Sequence, residues 1–582
     1  MSEAPIPTRY ADSFCAERDH ALAMGRQPTS HAEQWGLEYL LLFALMAFHV
    51  FLYWWAGPVL ESSDDLAYIT YARQLLAGDF VFQEHHFAHR PGLFAPVALL
   101  FWLFDAHLHT ATLLSLLASL ATIWAVHRSA RRYFGPRAGL LAALLLAANS
   151  FQLQQSLYLG PDILLAWSCF VGMTTLLDAR RDGTVLSPAW SGWLISTVFF
   201  FSLLVKVTVV WILVYVFVLF CLDLVAGRQR ALWGWIVVTG LGYVSLYLGM
   251  YAFLYGDPLY HLHVVEKTLN NPTGYWVFTP DSGNSLFARL TYQPLLLILN
   301  TPGYVTLLLL ILPLARHFLR TGDPDRRQPF FYWSGLVASG LFLFWFATSS
   351  FKFYNPIGLY ERHFLFIAPP LSVLGGAILA ALLERPTAWR RDIRWLLVAA
   401  ATLFLALHWL GYWKREVLLL GGVMLVLFTN HWWERWRWSV PVAMGVVVVT
   451  LLSMPVLAVW KGSIGADPWH EMYRELIRVV LPGFQKPILL YTDSRSQATL
   501  ELLLRSHPLP GPPPVLMNSR HPQSLPSLQD GSAWLLLLSS RDEKPAALER
   551  LIANPPATCR LVWQKKASSR KSMHLLECLS LP

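Results

Sequence analysis

Adjacent carboxylates at Asp64 and Asp65, with Tyr68 three residues further on, follow directly on the first long apolar run of the chain. A second polar knot comes soon after: His85, His86, Phe87, Ala88, His89, Arg90, Pro91, Gly92. Later, Pro161-Asp162 opens an apolar run, Lys206 stands alone between two others, and Tyr360-Glu361-Arg362-His363 precedes another. Ionisable groups at the edge of lipid-soluble segments are costly to keep there, which makes them functional candidates. A carboxylate can take a proton from a hydroxyl and a fixed cation can hold an anion, two ingredients of group transfer.

Each residue also has a plainer use. Ser63 or Asp64 as N-cap and Asp65 as a first-turn acid would together stabilise the helix that follows by about 1–2 kcal/mol. Lys206 could snorkel to the interface, and Arg90 could meet lipid headgroups non-specifically. His85, His86 and His89 could form a metal site, but neighbouring loop positions are a weak pattern for one, and exposed polar histidines are the more common use.

The chain that must position these groups has 582 residues, of which 14% are charged and 55% apolar, so a disordered or ordinary soluble protein is excluded. Runs able to cross ~30 Å of hydrocarbon recur from Leu37 to Trp460. They fall near 37–59, 109–127, 138–155, 160–178, 190–205, 207–225, 232–255, 294–315, 331–348, 363–383, 395–410, 416–430 and 439–460. The expected fold is an all-α polytopic membrane bundle of about thirteen transmembrane helices. The net charge of +9 is scattered between the apolar runs, which argues against a nucleic-acid partner.

Residues 1–36 are polar and lack a signal-peptide pattern, so the first helix is expected to stay as an anchor, with a cytoplasmic N-terminus. Every inner loop then carries arginine, from Arg128, Arg131, Arg132 and Arg137 through Arg180 and Arg181 to Arg435 and Arg437. This orientation exports residues 60–108, 256–293 and the tail 461–582 to the outer side. The middle segment, with His261 and Lys267, is read as either a lid or binding loop or a connector. The domain division is a cytoplasmic segment 1–36, a membrane catalytic domain 37–460 and a periplasmic α/β domain 461–582.

Leu66, Ile69, Ala72, Leu75 and Leu76 recur at helical spacing up to Gly78, which predicts an amphipathic helix on the membrane surface, and Leu93–Phe104 predicts a second short one. In the tail, strands are expected at 487–491, 515–517, 534–538, 561–563 and 574–576, with helices at 496–504 and 546–552. The Pro-rich stretch 507–526 cannot enter a sheet interior. If Ala567–Arg570 turns a hairpin, Cys559 and Cys578 face each other; a disulfide there would close a loop of about 20 residues and contribute roughly 3 kcal/mol, the alternative being two buried thiols.

The order of a first helix, Asp64-Asp65, Tyr68 and a helix ending in Gly78-Asp79-Phe80 resembles the first outer loop of the protein O-mannosyltransferase and lipid A aminoarabinose transferase group in the GT-C glycosyltransferase superfamily. Asp65 stands where that group usually has Glu. The group's Lys-Pro-Pro-Leu element is similar to Arg90-Pro91-Gly92-Leu93, and Asp162 and Lys206 match places where it carries an Asp and a Lys. The likeness covers residues 37 to about 225 and is mostly topological beyond; Tyr360 and Arg362 are similar to an aromatic and basic turn in relatives.

The resemblance implies a polyprenyl-phosphate-linked sugar as donor, no obligatory cofactor, and a glycan, lipid or protein acceptor at the outer face of a bacterial inner membrane. Asp64 would then be the general base, with Asp65 and Asp162 as supporting acids. Arg90, Lys206 and Arg362 would hold the leaving phosphate, and Tyr68, His89 and Tyr360 would complete substrate binding, in a single displacement that inverts the anomeric centre. A transporter or flippase of a lipid-linked sugar, or a non-catalytic membrane scaffold, is the alternative.

Overall fold

The computed structural model describes residues 31–60, 63–181, 186–269, 285–299, 324–350, 352–384, 439–460, 468–484, 488–492, 494–506, 514–518, 533–539, 559–568 and 571–578. Among these, eight helices are long and apolar enough to cross a membrane. The expected crossings at 395–410 and 416–430 and the tail helix at 546–552 lie outside the described residues, as does most of 294–315.

The bundle opens with α1 (His31–Ala56), then α2 (Ser63–Ala77), a 3-10 turn at His86–His89, and α3 (Pro91–Phe104). Next come α4 (Leu108–Phe134), α5 (Pro136–Ala147) and α6 (Ser150–Ser156). The single crossing expected at 138–155 is therefore two helices. Its break is at Asn149, whose Oδ1 accepts from the backbone N–H of Phe151 at 2.9 Å and of Gln152 at 3.3 Å, capping the second helix in place of a continuous ladder. Then follow α7 (Pro161–Ala179), α8 (Pro188–Val205), α9 (Val210–Val225) and α10 (Arg230–Tyr255).

After α10 come α11 (Tyr260–Leu269), α12 (Leu286–Leu290), α13 (Gln293–Leu299) and α14 (Pro324–Phe346). A 3-10 stretch at Glu361–Ile367 leads into α15 (Ala368–Glu384), and α16 (Ser439–Trp460) is the last long helix.

Small residues set the tightest crossing. A Cβ on Gly376 would stand 2.4 Å from the Ala138 carbonyl oxygen and 2.7 Å from the Ala142 Cβ, so α15 and α5 approach backbone to backbone. At the end of the bundle where α7 finishes, buried acids pin the arginines. Arg180 makes two 2.7 Å bonds to Asp223, which also accepts from the Trp233 indole at 2.9 Å. Glu38 lies 2.9 Å from both His127 and Arg131. With α7 rising 1.5 Å per residue, these anchors sit roughly 27 Å from Asp162 along the helix.

The tail builds a five-stranded mixed sheet in the order β2-β1-β3-β5-β4, with β1 (Ile488–Thr492), β2 (Val515–Asn518), β3 (Ala533–Ser539), β4 (Cys559–Ser568) and β5 (Lys571–Cys578). Parallel β1, β2 and β3 are joined by the antiparallel β4–β5 hairpin. The strand from the Pro-rich stretch, β2, lies at the sheet edge, where missing N–H groups cost least. The hairpin brings Cys559 opposite Cys578, though not by the expected turn. Its strands end at Ser568 and resume at Lys571, and two one-residue register shifts, near Val562 and Ala567, move the pairing back to the cysteines. The tail touches the bundle through Arg474, which donates to the Pro58 carbonyl at 2.9 Å, and through Arg73 and Glu501 at 3.9 Å.

Candidate active site

Asp64 and Asp65 lie in the first turn of α2, where the partial positive charge of the helix start favours acids. The helix stops in a Schellman turn: Gly78 takes φ +78°, Asp79 N–H bonds the Gln74 carbonyl at 2.9 Å and Gly78 N–H bonds that of Leu75 at 3.3 Å. Tyr68, Ile69 and Ala72 are fully buried against the bundle, while Leu75 and Leu76 are exposed, as a helix lying on a membrane surface requires.

Arg90 precedes Pro91, the first residue of α3, and Gly92 sets how far it reaches. A Cβ there would lie 2.9 Å from the Leu204 carbonyl carbon and the Val205 nitrogen, so only glycine lets the start of α3 press on the end of α8. That end is the next site element: Lys206 leaves the helix in extended conformation, φ −161° and ψ 127°, before a 3-10 turn starts toward α9. Its buried ammonium donates to Asp162 Oδ1 at 2.5 Å, and Asp162 stands in the first turn of α7 behind Pro161.

Two further contacts close the cluster. Arg90 Nη1 donates to the Tyr68 hydroxyl, and its guanidinium lies over the Phe87 ring at 5.2 Å. Arg362 Nη1 stands 3.9 Å from Asp64 Oδ2, with the two side chains equally half-exposed, and its guanidinium covers the Tyr360 ring at 4.9 Å. Arg90 and Arg362 are both close enough for their charges to act on Lys206. Burial pushes the Tyr68 phenol well above its ordinary value of 10, with Asp64 and Asp162 adding to and Arg90 opposing the shift, so its hydroxyl stays protonated. An apolar crevice walled by Leu165, Trp211, Ile212 and Phe366 opens beside Asp162 and His363. The structure thus brings together Asp64, Tyr68, Arg90, Asp162, Lys206, Tyr360 and Arg362 from five separate stretches of chain. Asp65 is fully turned in, 2% exposed, against 30% for the Asp64 side chain.

His89 is placed differently. Its Nδ1 pairs with the Tyr251 hydroxyl at 2.9 Å and its Nε2 with the Gln83 carbonyl at 3.1 Å, so both ring nitrogens are engaged in holding the loop before Arg90. Its ring stacks on His261 at 5.0 Å. Burial lowers His89 to about 4 and His261 to about 3, and it depresses His85 and His86 as well. All four imidazoles are therefore neutral at pH 7, leaving arginine and lysine to supply the positive charge. Among the described residues, no group of three or more His, Cys, Asp or Glu is arranged to hold a metal ion.

Sequence reasoning missed two groups. Arg289 is completely buried and bonds only backbone carbonyls: Ile357 at 3.1 and 2.9 Å, Phe344 at 2.9 Å and Trp345 at 3.1 Å. It closes the C-terminus of α14 and ties down the loop leading to Tyr360. Glu266, also buried, accepts from the Ser350 hydroxyl at 2.5 Å. Neither sits in a local pattern; for Arg289 an isolated charge between Ala288 and Leu290 was the sole signal, and Glu266 beside Lys267 gave none.

The charges are thus gathered from helix ends at one mouth of a polytopic helical bundle to which a small sheet is appended. By structure the chain is similar to ArnT from Cupriavidus metallidurans bound to undecaprenyl phosphate, with TM-score 0.58 and 16% identity over 93% of this chain and 98% of that one. The apo state of the same protein gives 0.54 and 17% over 94% and 98%. An oligosaccharyltransferase from Archaeoglobus fulgidus gives 0.47 and 14% over 80% and 63%. No protein-family model and no curated protein matches the sequence. The fold is that of the GT-C membrane glycosyltransferases, in line with the resemblance of the first outer loop.

Proposed function

We propose that the chain is an integral-membrane glycosyltransferase that moves a sugar from a polyprenyl-phosphate donor to a hydroxyl acceptor at the outer face of a bacterial inner membrane. The observation that carries this reading is the meeting of Asp64 with Arg362, within one cluster that also contains Arg90, Lys206 and Asp162. Asp64 takes the acceptor's proton as its oxygen attacks the anomeric carbon. The bond from that carbon to the phosphate oxygen breaks, its electron pair leaves with the lipid phosphate, and the centre inverts. Arg90, Lys206 and Arg362 stabilise the departing anion, and the protonated Tyr68 hydroxyl, which accepts from Arg90, orients that guanidinium.

Asp162 holds Lys206 in position. Likeness to a protein solved with undecaprenyl phosphate supports the lipid class of the donor. A flippase would place its charges near the middle of broken helices. Here Asp162 opens α7 and Lys206 ends α8, at one mouth.

The test supplies purified protein in nanodiscs with a radiolabelled polyprenyl-phosphate sugar and extracted envelope acceptors. Asp64→Asn, which keeps size and hydrogen bonding, is expected to lower transfer by 10²-fold or more. Undiminished transfer by the variant would reject Asp64 as base, and lipid movement without transfer would favour the flippase.

A further inference from the structure

We propose that Glu266 is a positioning residue for the phosphate-binding cations, because α11 clamps the two loops that carry Arg90 and Arg362; the proposal rests on the phosphate-site reading above. Residues 261 and 268 are seven apart and share one face of the helix, while 266 lies about 200° from 268, on the opposite side. The first face grips the loop before Arg90. His261 stacks on His89 at 5.0 Å, and Thr268 Oγ1 pairs with His86 Nδ1 at 3.1 Å. Just upstream, the Tyr255 hydroxyl donates to the Phe82 carbonyl at 3.1 Å.

The opposite face grips the loop before Arg362. The Ser350 hydroxyl that Glu266 accepts from also receives the backbone N–H groups of Lys352 at 3.1 Å and Phe353 at 3.4 Å, so one carboxylate orients the hydroxyl that closes this turn. From there the strap is tied back by Asn355, whose carbonyl accepts the Ser349 N–H at 2.7 Å, and by Arg289 at Ile357. Tyr360 and Arg362 follow at once. The Lys267–Glu84 pair at 2.5 Å adds little, because both side chains are about 70% exposed. The buried bonds hold the clamp: Glu266 sits beside Val264 and Val265, all under 9% exposed. Losing its carboxylate frees the Ser350 turn and lets Arg362 drift from Arg90, with no charge of the site itself removed.

The experiment measures full-length protein in nanodiscs for its affinity ratio between undecaprenyl phosphate and undecaprenol, which isolates recognition of the phosphate. Glu266→Ala is expected to lower that ratio about tenfold while leaving undecaprenol binding unchanged. Glu266→Gln, which still accepts from Ser350, is expected to stay within about threefold of wild type. In an Arg362→Gln background, Glu266→Ala is expected to cost nothing more, since it acts through that arginine. Should Glu266→Ala not fold, Ser350→Ala severs the same bond from the other side and is expected to lower the ratio similarly. A wild-type ratio in the alanine variant, equal loss in the glutamine variant, or additive loss with Arg362→Gln overturns the clamp. A wild-type protein that does not distinguish the two lipids overturns the phosphate site itself, and this proposal with it.

Discussion

Gly92→Ala isolates the geometry of the site from its charges. The added methyl would sit 2.9 Å from two backbone atoms of α8, which no rotamer change can relieve, so α3 and the end of α8 must separate by roughly half an ångström to reach ordinary contact. Overpacking of this kind costs about 1–3 kcal/mol of stability. The displacement falls between Arg90, two residues before the methyl, and Lys206, one residue beyond Val205. A misplacement of about 1 Å in a positioned catalytic group can cost on the order of 10²-fold in rate, so about tenfold is expected here.

The control is Gly78→Ala. That glycine has φ +78° and no atoms within 4 Å of a built Cβ, so the variant is strained by about 1–2 kcal/mol but meets nothing. Both variants are measured in nanodiscs for melting temperature and for transfer from a radiolabelled polyprenyl-phosphate sugar. Similar melting shifts are expected from both, with the rate loss confined to Gly92→Ala. Equal rate loss in the two would mean that stability alone is being read. A wild-type rate in Gly92→Ala would refute the claim that this close approach sets the cation spacing.

Removing one partner of the buried Lys206–Asp162 pair, by Lys206→Met or Asp162→Asn, is expected to destabilise by about 3–5 kcal/mol and the double variant by less than their sum, measured by thermal melting. Because His89 and His261 have folded values lowered to about 4 and about 3, the unfolded chain binds the extra protons, so stability falls as pH drops from about 6.5 toward those values and is flat above. Each histidine contributes up to about 1.4 kcal/mol per pH unit, and melting curves of His261→Phe are expected to show a shallower acid slope than wild type. Cys559 and Cys578, paired across β4 and β5, are expected to resist maleimide until reduced, as intact mass would show.

The transmembrane bundle was legible because long apolar runs have one solution in lipid: the expected spans 160–178, 190–205 and 232–255 match α7, α8 and α10 within two residues at each end. Asn149 hid a break, since capping is decided by one side chain against an otherwise continuous run. Asp64, Arg90, Asp162 and Lys206 could be singled out because each is an ionisable group where hydrocarbon begins or ends. That His89 holds a loop could not be seen, since its partners Tyr251 and Gln83 are fixed by tertiary packing. Glu266 and Arg289 escaped for the same reason: what they bind is a hydroxyl 84 residues away and a set of backbone carbonyls.

The charges of this mouth are already paired before any ligand arrives, and that shapes what the site can take. Lys206 is held by Asp162 at 2.5 Å, Arg362 stands 3.9 Å from Asp64, and Arg90 meets a neutral phenol. On the proposed reading, a phosphate would meet Arg90 and Arg362 directly, while Lys206 would act on it through its charge without leaving Asp162, since separating that pair would strand a buried carboxylate. A phosphate that engages Arg362 would, on the same reading, compete with Asp64 for that guanidinium, which couples donor binding to the surroundings of the proposed base.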